Sequence, residues 1–272
     1  MSASYLGCER VGGIAASNRG LHYGDGLFET LRVHQGCVPL WPQHLARLRA
    51  GAQRLGIALP DVAFIETQIN AHIAGCDAGV LKLLLTRGDG GRGYAPPVDA
   101  LPVWQLGLHP LPPAARTGLH LQVCQTRLAI QPALAGIKHC NRLEQVLARR
   151  EVVLAGGDEG LMQDGDGRVV SATAANLLVF REGRWLTPSV QRCGVAGVLR
   201  GRLLAQDWVT IAEVSLEDVE SSDALALCNA VRGILPVSTL GTRTWTAHPA
   251  ITDLQARLAM TYPMFQDAVV SA

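Results

Sequence analysis

The sequence predicts an α+β chain built in two parts, on three observations. Before residue 110, segments of strand-like alternation are interleaved with segments of helical spacing. Pro110-Leu-Pro-Pro-Ala-Ala115 then interrupts both patterns, which makes it the best linker in the chain. Beyond it strands outnumber helices. The expected division is residues 1–109 as a small N-terminal domain, 110–117 as linker and 118–272 as a larger C-terminal domain, with a cleft between the two.

In order along the chain, Leu27–Val33 alternates and is partly β-branched or aromatic, so it reads as a strand. Val38-Pro-Leu40 is expected to pair with it across His34-Gln-Gly36. Trp41, Leu45, Leu48, Ala52 and Leu55 fall at helical spacing, with Arg47 and Arg49 nearby. Asp61 is placed to cap a second helix whose apolar face is Val62, Ile65, Ile69 and Ile73. Val80–Thr86 and Val103–Leu108 read as strands around the glycine-rich loop Arg87-Gly-Asp-Gly-Gly-Arg-Gly-Tyr94. After the linker, Leu119–Thr126, Gly160–Gln163, Arg168–Ser171 and Ala175–Phe180 read as strands, with Asp164-Gly-Asp-Gly167 as a hairpin turn. Helices are expected at Asn141–Leu154 and Val198–Trp208, and further strands at Thr210–Val214, Ala224–Leu227 and Gly233–Val237.

Bulk properties exclude several classes. A length of 272 residues suits one large domain or two modest ones with ample core. With 48% apolar and 17% charged residues the chain is ordinary globular protein, and a net charge of +1 offers neither a basic face for nucleic acid nor an acidic tail. The 7 cysteines are scattered singly and form no C-x-x-C pair, which suggests reduced thiols in a cytoplasmic protein. The N-terminus does not look like a signal peptide. No apolar run approaches the roughly 18–20 residues that span a membrane. The histidines lack an H-x-x-x-H pair, so no metal is expected. The absence of G-x-S-x-G disfavours a serine hydrolase.

The chemistry begins with a scarcity. Of the 24 basic residues only Lys82 and Lys138 are lysine. A chain that carries its surface charge on arginine keeps a lysine for its amine, which can form an imine or move a proton as a guanidinium cannot. Lys82 lies in an expected strand, and Lys138 lies where a short apolar approach turns into a helix. Gly194-Val-Ala-Gly-Val-Leu-Arg200 opens a helix with glycines and is either a bare turn or an anion site of the kind that holds phosphate. Gly90-Gly-Arg-Gly-Tyr94 is either a surface loop or a carboxylate clamp built on its arginine. An amine, a phosphate site and a carboxylate clamp together suggest pyridoxal 5'-phosphate (PLP), whose ring acts as an electron sink.

The same residues carry a resemblance. Asn18-Arg-Gly-Leu-His-Tyr-Gly-Asp-Gly-Leu-Phe-Glu-Thr30, His44-Leu-Ala-Arg-Leu48, Gly90–Tyr94, Gly136-Ile-Lys-His-Cys-Asn-Arg-Leu-Glu-Gln145, Ala174-Ala-Asn-Leu177 and Gly194–Arg200 resemble the class IV aminotransferase family of fold-type IV PLP enzymes. The second and third glycine-bearing phrases, Gly90–Tyr94 and Gly136–Gln145, are most similar to its lyase branch. The resemblance implies a small N-terminal α/β sandwich domain and a larger C-terminal PLP-binding domain with a barrel-like sheet. It implies a cytoplasmic homodimer that turns 4-amino-4-deoxychorismate into 4-aminobenzoate and pyruvate, a step of folate synthesis. Lys138 takes the position of the lysine that carries the cofactor, and Arg47 that of the phosphate arginine. The backbone N–H groups of Val198 and Leu199 take the phosphate-binding helix turn, and Asn229 and Ala230 fall on a loop lining the phosphate or substrate side. Thr30 matches a threonine that assists proton transfer, Arg92 and Tyr94 face the substrate carboxylate, and Tyr23 joins them as a substrate contact. Lys82 matches a strand position without a catalytic role.

One departure stands out. Where the family carries a glutamate beside the pyridine nitrogen, five residues before the Asn-Leu pair, this chain has Ser171. A neutral hydroxyl favours the protonated ring far less than a carboxylate does. Elimination regains aromaticity in its product and so tolerates the weaker sink better than transamination, which favours a lyase over the alternative, a D-amino-acid or branched-chain aminotransferase of the same fold. A protein that keeps the fold without PLP is the remaining reading, and the intact Lys138 and Arg47 weigh against it.

Overall fold

The computed structural model describes residues 2–113 and 118–268. By its contacts the chain forms two compact units. One extends to Leu111 and takes in Ile137–Asn141, and the other holds Pro112–Gly136 and continues from Arg142. Residues 114–117 of the expected linker and 269–272 of the expected C-terminal domain lie outside the described residues, as does residue 1.

The first unit contains β1 (Ser2–Leu6), β2 (Glu9–Val11), α1 (Arg19–Tyr23), β3 (Gly26–His34), α2 (Trp41–Leu55), α3 (Val62–Ile73), β4 (Ala78–Thr86) and β5 (Val103–His109). Its sheet runs β2-β1-β5-β4-β3 and is antiparallel throughout. The alternation in β3 buries Leu27, Glu29, Leu31 and Val33 on one face and leaves Phe28 and Thr30 on the other. Helix α2 lies close over the buried face: a Cβ on Gly51 would stand 3.0 Å from Leu27 Cδ1. Asp61 caps α3 as its position predicts, accepting from Phe64 N at 2.8 Å.

The expected strand at Val38–Leu40 does not form. His34 and Cys37 exchange backbone hydrogen bonds around Gln35 and Gly36, which both take positive φ, and the pairing stops there. Pro39 has no N–H to donate, and Pro42 sits in the first turn of α2, so the chain leaves the sheet. The neighbour of β3 is β4, from Gly26 opposite Thr86 to His34 opposite Ala78. Strands β1 and β2 and helix α1 had no clear signature in the sequence.

The second unit contains β6 (Leu119–Val123), α4 (Leu143–Leu154), β7 (Glu159–Gln163), β8 (Val169–Ala172), β9 (Asn176–Arg181), β10 (Arg184–Pro188), α5 (Val198–Ala205), β11 (Thr210–Ala212), α6 (Leu216–Glu220), β12 (Ala224–Asn229), β13 (Gly233–Leu240), β14 (Arg243–Thr244), α7 (Pro249–Thr261) and a closing 3-10 turn (Pro263–Ala268). The sheet order is β11-β10-β9-β12-β13-β6-β7-β8, with β14 against β13. The sheet curls until its ends meet: Val169 N, at the start of β8, donates to Val214 O just after β11 at 2.9 Å. Leu161, Leu177, Leu225 and Leu227 fill the core on one side of it. On the other side Ala148 and Val152 of α4 pack against Met162 and Val170. Asp164–Gly167 is the expected turn, closed by Gly167 N to Asp164 O at 3.0 Å. Helix α5 is shorter than its apolar pattern because Asp207 takes a φ of 55°.

Candidate active site

Lys138 sits in an irregular segment rather than on the helix that follows it. The segment lies along the start of β3: Phe28 N donates to Lys138 O at 3.0 Å, and Cys140 N donates to Gly26 O at 2.9 Å. Glycine at 24 permits the approach: at φ +63°, a Cβ there would meet Asn141 Oδ1 at 2.5 Å, while one on Gly26 would stand 3.3 Å from Cys140 Sγ. With its backbone pinned in this way, the Lys138 side chain reaches the Phe28 ring, Nζ standing 4.3 Å from the centroid. Thr30 projects from the same face of β3, two residues along. Lys82 is directly opposite Thr30 on β4, and its Nζ is 5.5 Å from the same Phe28 ring. Both lysines of the chain therefore address one aromatic side chain, which sequence spacing alone did not reveal for Lys82.

The other face of β3 carries an ionic group whose carboxylate is buried and whose arginine is partly exposed. Glu29 accepts from Arg47 Nε at 2.8 Å and from His44 Nδ1 at 2.6 Å, and Arg47 Nη2 also donates to it. Burial raises the carboxyl pKa of Glu29, but the Arg47 charge and the hydrogen bonds from His44 and Arg47 outweigh it and hold the group below its usual value. Burial first, with Arg47 and Lys138 adding to it, lowers the His44 pKa below its usual value against the pull of Glu29. The structure thus places Arg47, the expected phosphate arginine, in a fork with Glu29 that fixes its guanidinium plane. The sequence reading missed Glu29 and His44. The signal was present: an acid at an inward position of an alternating strand, and a His and Arg spaced three apart on the next helix.

The three expected substrate residues fall on α1 and the loop before β5. Tyr23 and Tyr94 meet edge to face, with centroids 5.4 Å apart. Tyr94 is otherwise 84% exposed. Arg92 is exposed on the same loop.

In the second unit, α5 begins at Gly197 with no side-chain cap. The first N–H groups of a helix have no intrahelical acceptor, and in α5 these are the N–H groups of Val198 and Leu199. Asn176 packs against the preceding loop. Asn176 Nδ2 donates to Val195 O at 2.9 Å, and a Cβ on Gly197 would stand 2.0 Å from Asn176 Oδ1. Arg200, 5% exposed, braces the helix start by donating to Thr187 Oγ1 at 3.2 Å and Pro188 O at 2.8 Å. Asn229 uses its side chain to shape its own loop, Oδ1 accepting from Val231 N at 3.0 Å and Arg232 N at 2.8 Å, and Ala230 lies inside that turn. Ser171 is buried on β8 opposite Met162.

In the first unit, the Lys138 amine held against an aromatic ring fits PLP by its chemistry; in the second unit, taken by itself, so does the start of α5, which has no side-chain cap. Among the described residues, no group of three or more His, Cys, Asp or Glu is placed to hold a metal.

Residues 26–240 match the family model of amino-transferase class IV. The chain is 34% identical over 236 residues to the aminodeoxychorismate lyase of Vibrio harveyi, covering 83% of this chain and 86% of that one. It is similar to the crystal structure of 4-amino-4-deoxychorismate lyase from Pseudomonas aeruginosa, with 42% identity, a TM-score of 0.88, and 95% and 99% of the two chains covered. A fold IV transaminase from Curtobacterium pusillum, 22% identical with a TM-score of 0.80 over 94% and 98% of the chains, shares the fold. The expected fold class, a small α/β domain followed by a larger one with a barrel-like sheet, is the fold of these neighbours.

Proposed function

This chain belongs to the amino-transferase class IV family, and from that premise we propose that it is a PLP-dependent lyase converting 4-amino-4-deoxychorismate into 4-aminobenzoate and pyruvate. The observation that carries the reading is the Lys138 amine held on the Phe28 ring, on the strand face that also bears Thr30. The near-full-length likeness to lyases supports lyase over aminotransferase.

PLP, when bound, supplies an imine-forming aldehyde and a ring that accepts electrons from the bond being broken. Lys138 would hold it through Nζ, and the N–H groups of Val198 and Leu199 would hold its phosphate, with Arg47 adding charge. The Asn229–Ala230 turn would border the phosphate or substrate side. Ser171 would stand near the pyridine nitrogen with a hydroxyl, and so leave that nitrogen less readily protonated than a carboxylate would.

For the reaction itself, Lys138 Nζ takes the proton from the amine-bearing carbon of the substrate and is the general base. The Thr30 hydroxyl, on the same face of β3, helps return a proton to the departing enolpyruvyl group. Arg92 binds substrate carboxylate, and the Tyr23–Tyr94 pair gives the substrate an aromatic wall. The Glu29–His44–Arg47 group, across β3, keeps the strand that bears Phe28 and Thr30 rigid.

The proposal extends to a cytoplasmic homodimer acting in folate synthesis. Its support is the near-full-length similarity to aminodeoxychorismate lyases. The test is to mix the pure protein, PLP and enzymatically generated aminodeoxychorismate and follow 4-aminobenzoate fluorescence. Steady release of 4-aminobenzoate with pyruvate supports the lyase. Conversion to the pyridoxamine form by amino acids, without 4-aminobenzoate, replaces it with an aminotransferase.

A further inference from the structure

One buried side chain holds the glycine-rich loop of the first unit from beneath. Arg19 is 4% exposed, although it belongs to a five-residue surface helix. Its Nη2 donates to Tyr94 O at 2.7 Å, and its Nη1 donates to Gly93 O at 3.2 Å and Ala95 O at 3.3 Å. Its Nε donates to Asp25 Oδ2 at 2.9 Å. The guanidinium carbon stands 4.9 Å from the Tyr23 ring, the ring that Tyr94 meets. The loop also rests on the arginine stem, since a Cβ on Gly90 would lie 2.8 Å from Arg19 Cδ.

Asp25 aligns this guanidinium and ties it to a second one. It accepts from Arg87 Nε at 2.7 Å and Nη2 at 3.1 Å. Arg87 in turn donates to Leu55 O at 2.7 Å and Gly56 O at 2.6 Å, at the end of α2. The loop's carbonyls are therefore fixed, through Arg19, Asp25 and Arg87, to the C-terminus of a core helix.

We propose that Arg19 is a positioning residue that sets substrate affinity by holding the Gly90–Tyr94 loop in its binding shape. The proposal rests on the reading of Arg92 and Tyr94 as substrate groups. A loop with glycines at 90, 91 and 93 has much conformational freedom to lose, and ordering it during binding weakens affinity. Arg19 removes that cost beforehand. Lysine cannot take its place, because a point-like ammonium does not reproduce a planar fork reaching a carboxylate and three carbonyls at once.

The experiment compares Arg19→Lys and Arg92→Ala, singly and together, in the PLP-loaded enzyme, with trypsin cleavage after Arg92 as a second readout. Arg19→Lys is expected to raise KM for aminodeoxychorismate about tenfold, change kcat less than about twofold and leave the PLP absorbance unchanged. Cleavage after Arg92 is expected to accelerate while other sites stay protected. In the Arg92→Ala background, Arg19→Lys is expected to add little to KM, because both act through one loop. An undiminished effect in that background overturns the proposal, as does general loosening without selective cleavage at the loop. If Arg92→Ala raises KM and Arg19→Lys does not, this proposal alone fails. If Arg92→Ala leaves KM unchanged, the substrate role of the loop fails first and takes the proposal with it. Asp25→Asn keeps the volume while removing the charge that aligns Arg19, and serves the same comparison if the lysine variant does not fold.

Discussion

Phe28 has two amines near its ring, and they are held in opposite ways. Lys82 stands on a regular strand, paired on both sides by neighbouring strands, with an exposed side chain. Lys138 stands on an irregular segment, its backbone bonded to Phe28 N and the segment's end at Asn141 set against Gly24, where a Cβ would not fit. The aromatic neighbour is the same, at 5.5 Å for one amine and 4.3 Å for the other. The difference teaches that scarcity of a residue type points to an amine, whereas the backbone built around it separates the two candidates.

The sharpest way to break this comparison is to remove each amine. Lys138→Ala is expected to abolish the near-visible absorbance of the PLP-loaded protein and lower turnover by about a thousandfold or more, since in the proposed role one group both holds the cofactor and moves the proton. Loss of both signals in Lys82→Ala instead would reverse the assignment.

Next in size is the support behind the ring. Glu29→Gln removes the buried carboxylate that faces the partly exposed Arg47, and urea denaturation is expected to show a loss of about 2 kcal/mol. The pH dependence follows in sign. The folded-state pKa of Glu29 lies below its usual 4.5, and that of Asp25 below its usual 3.8. Each therefore stabilises the fold above its usual value and loses that contribution as pH falls through the lower folded one. His44, whose folded pKa lies below its usual 6.5, acts in the same direction. Stability is thus expected to fall steadily from about pH 6 downward, and Glu29→Gln is expected to flatten the acid part of that curve. A curve equally steep in the variant would mean that the ionic group is not its source.

Smaller effects refine the picture. Thr30→Val keeps the side-chain shape and is expected to lower kcat about tenfold with little change in KM, as loss of an assisting hydroxyl should. Lys82→Met is expected to change kcat less than about twofold, and a tenfold loss there would place Lys82 in the machinery beside Lys138.

Much of the fold was legible in the sequence because local signals and packing agree. The a-polar spacing of α2, the Asp61 cap of α3 and the Asp164–Gly167 turn each reflect physics confined to a few residues. What was not legible depends on distant partners. Val38–Leu40 has strand-like composition but is expelled from the sheet by two prolines and by β4, which arrives from Ala78 onward and takes the place beside β3. The site divides the same way. Lys138 and the Gly197 helix start stand out by residue type and glycine spacing. Glu29, His44, Arg19 and Asp25 do not, since their roles lie in contacts between segments that spacing cannot join. Lys82 reads as a plain strand residue until register sets it opposite Thr30.

The central claim is that Lys138, and not Lys82, is the amine that holds the cofactor. Borohydride reduction of the PLP-loaded protein makes the cofactor–lysine link permanent, and mass mapping of its peptides locates it. The account predicts a single added phosphopyridoxyl group on Lys138, and none in Lys138→Ala. A group found on Lys82, or no lysine modified in a protein that still releases 4-aminobenzoate, would contradict it.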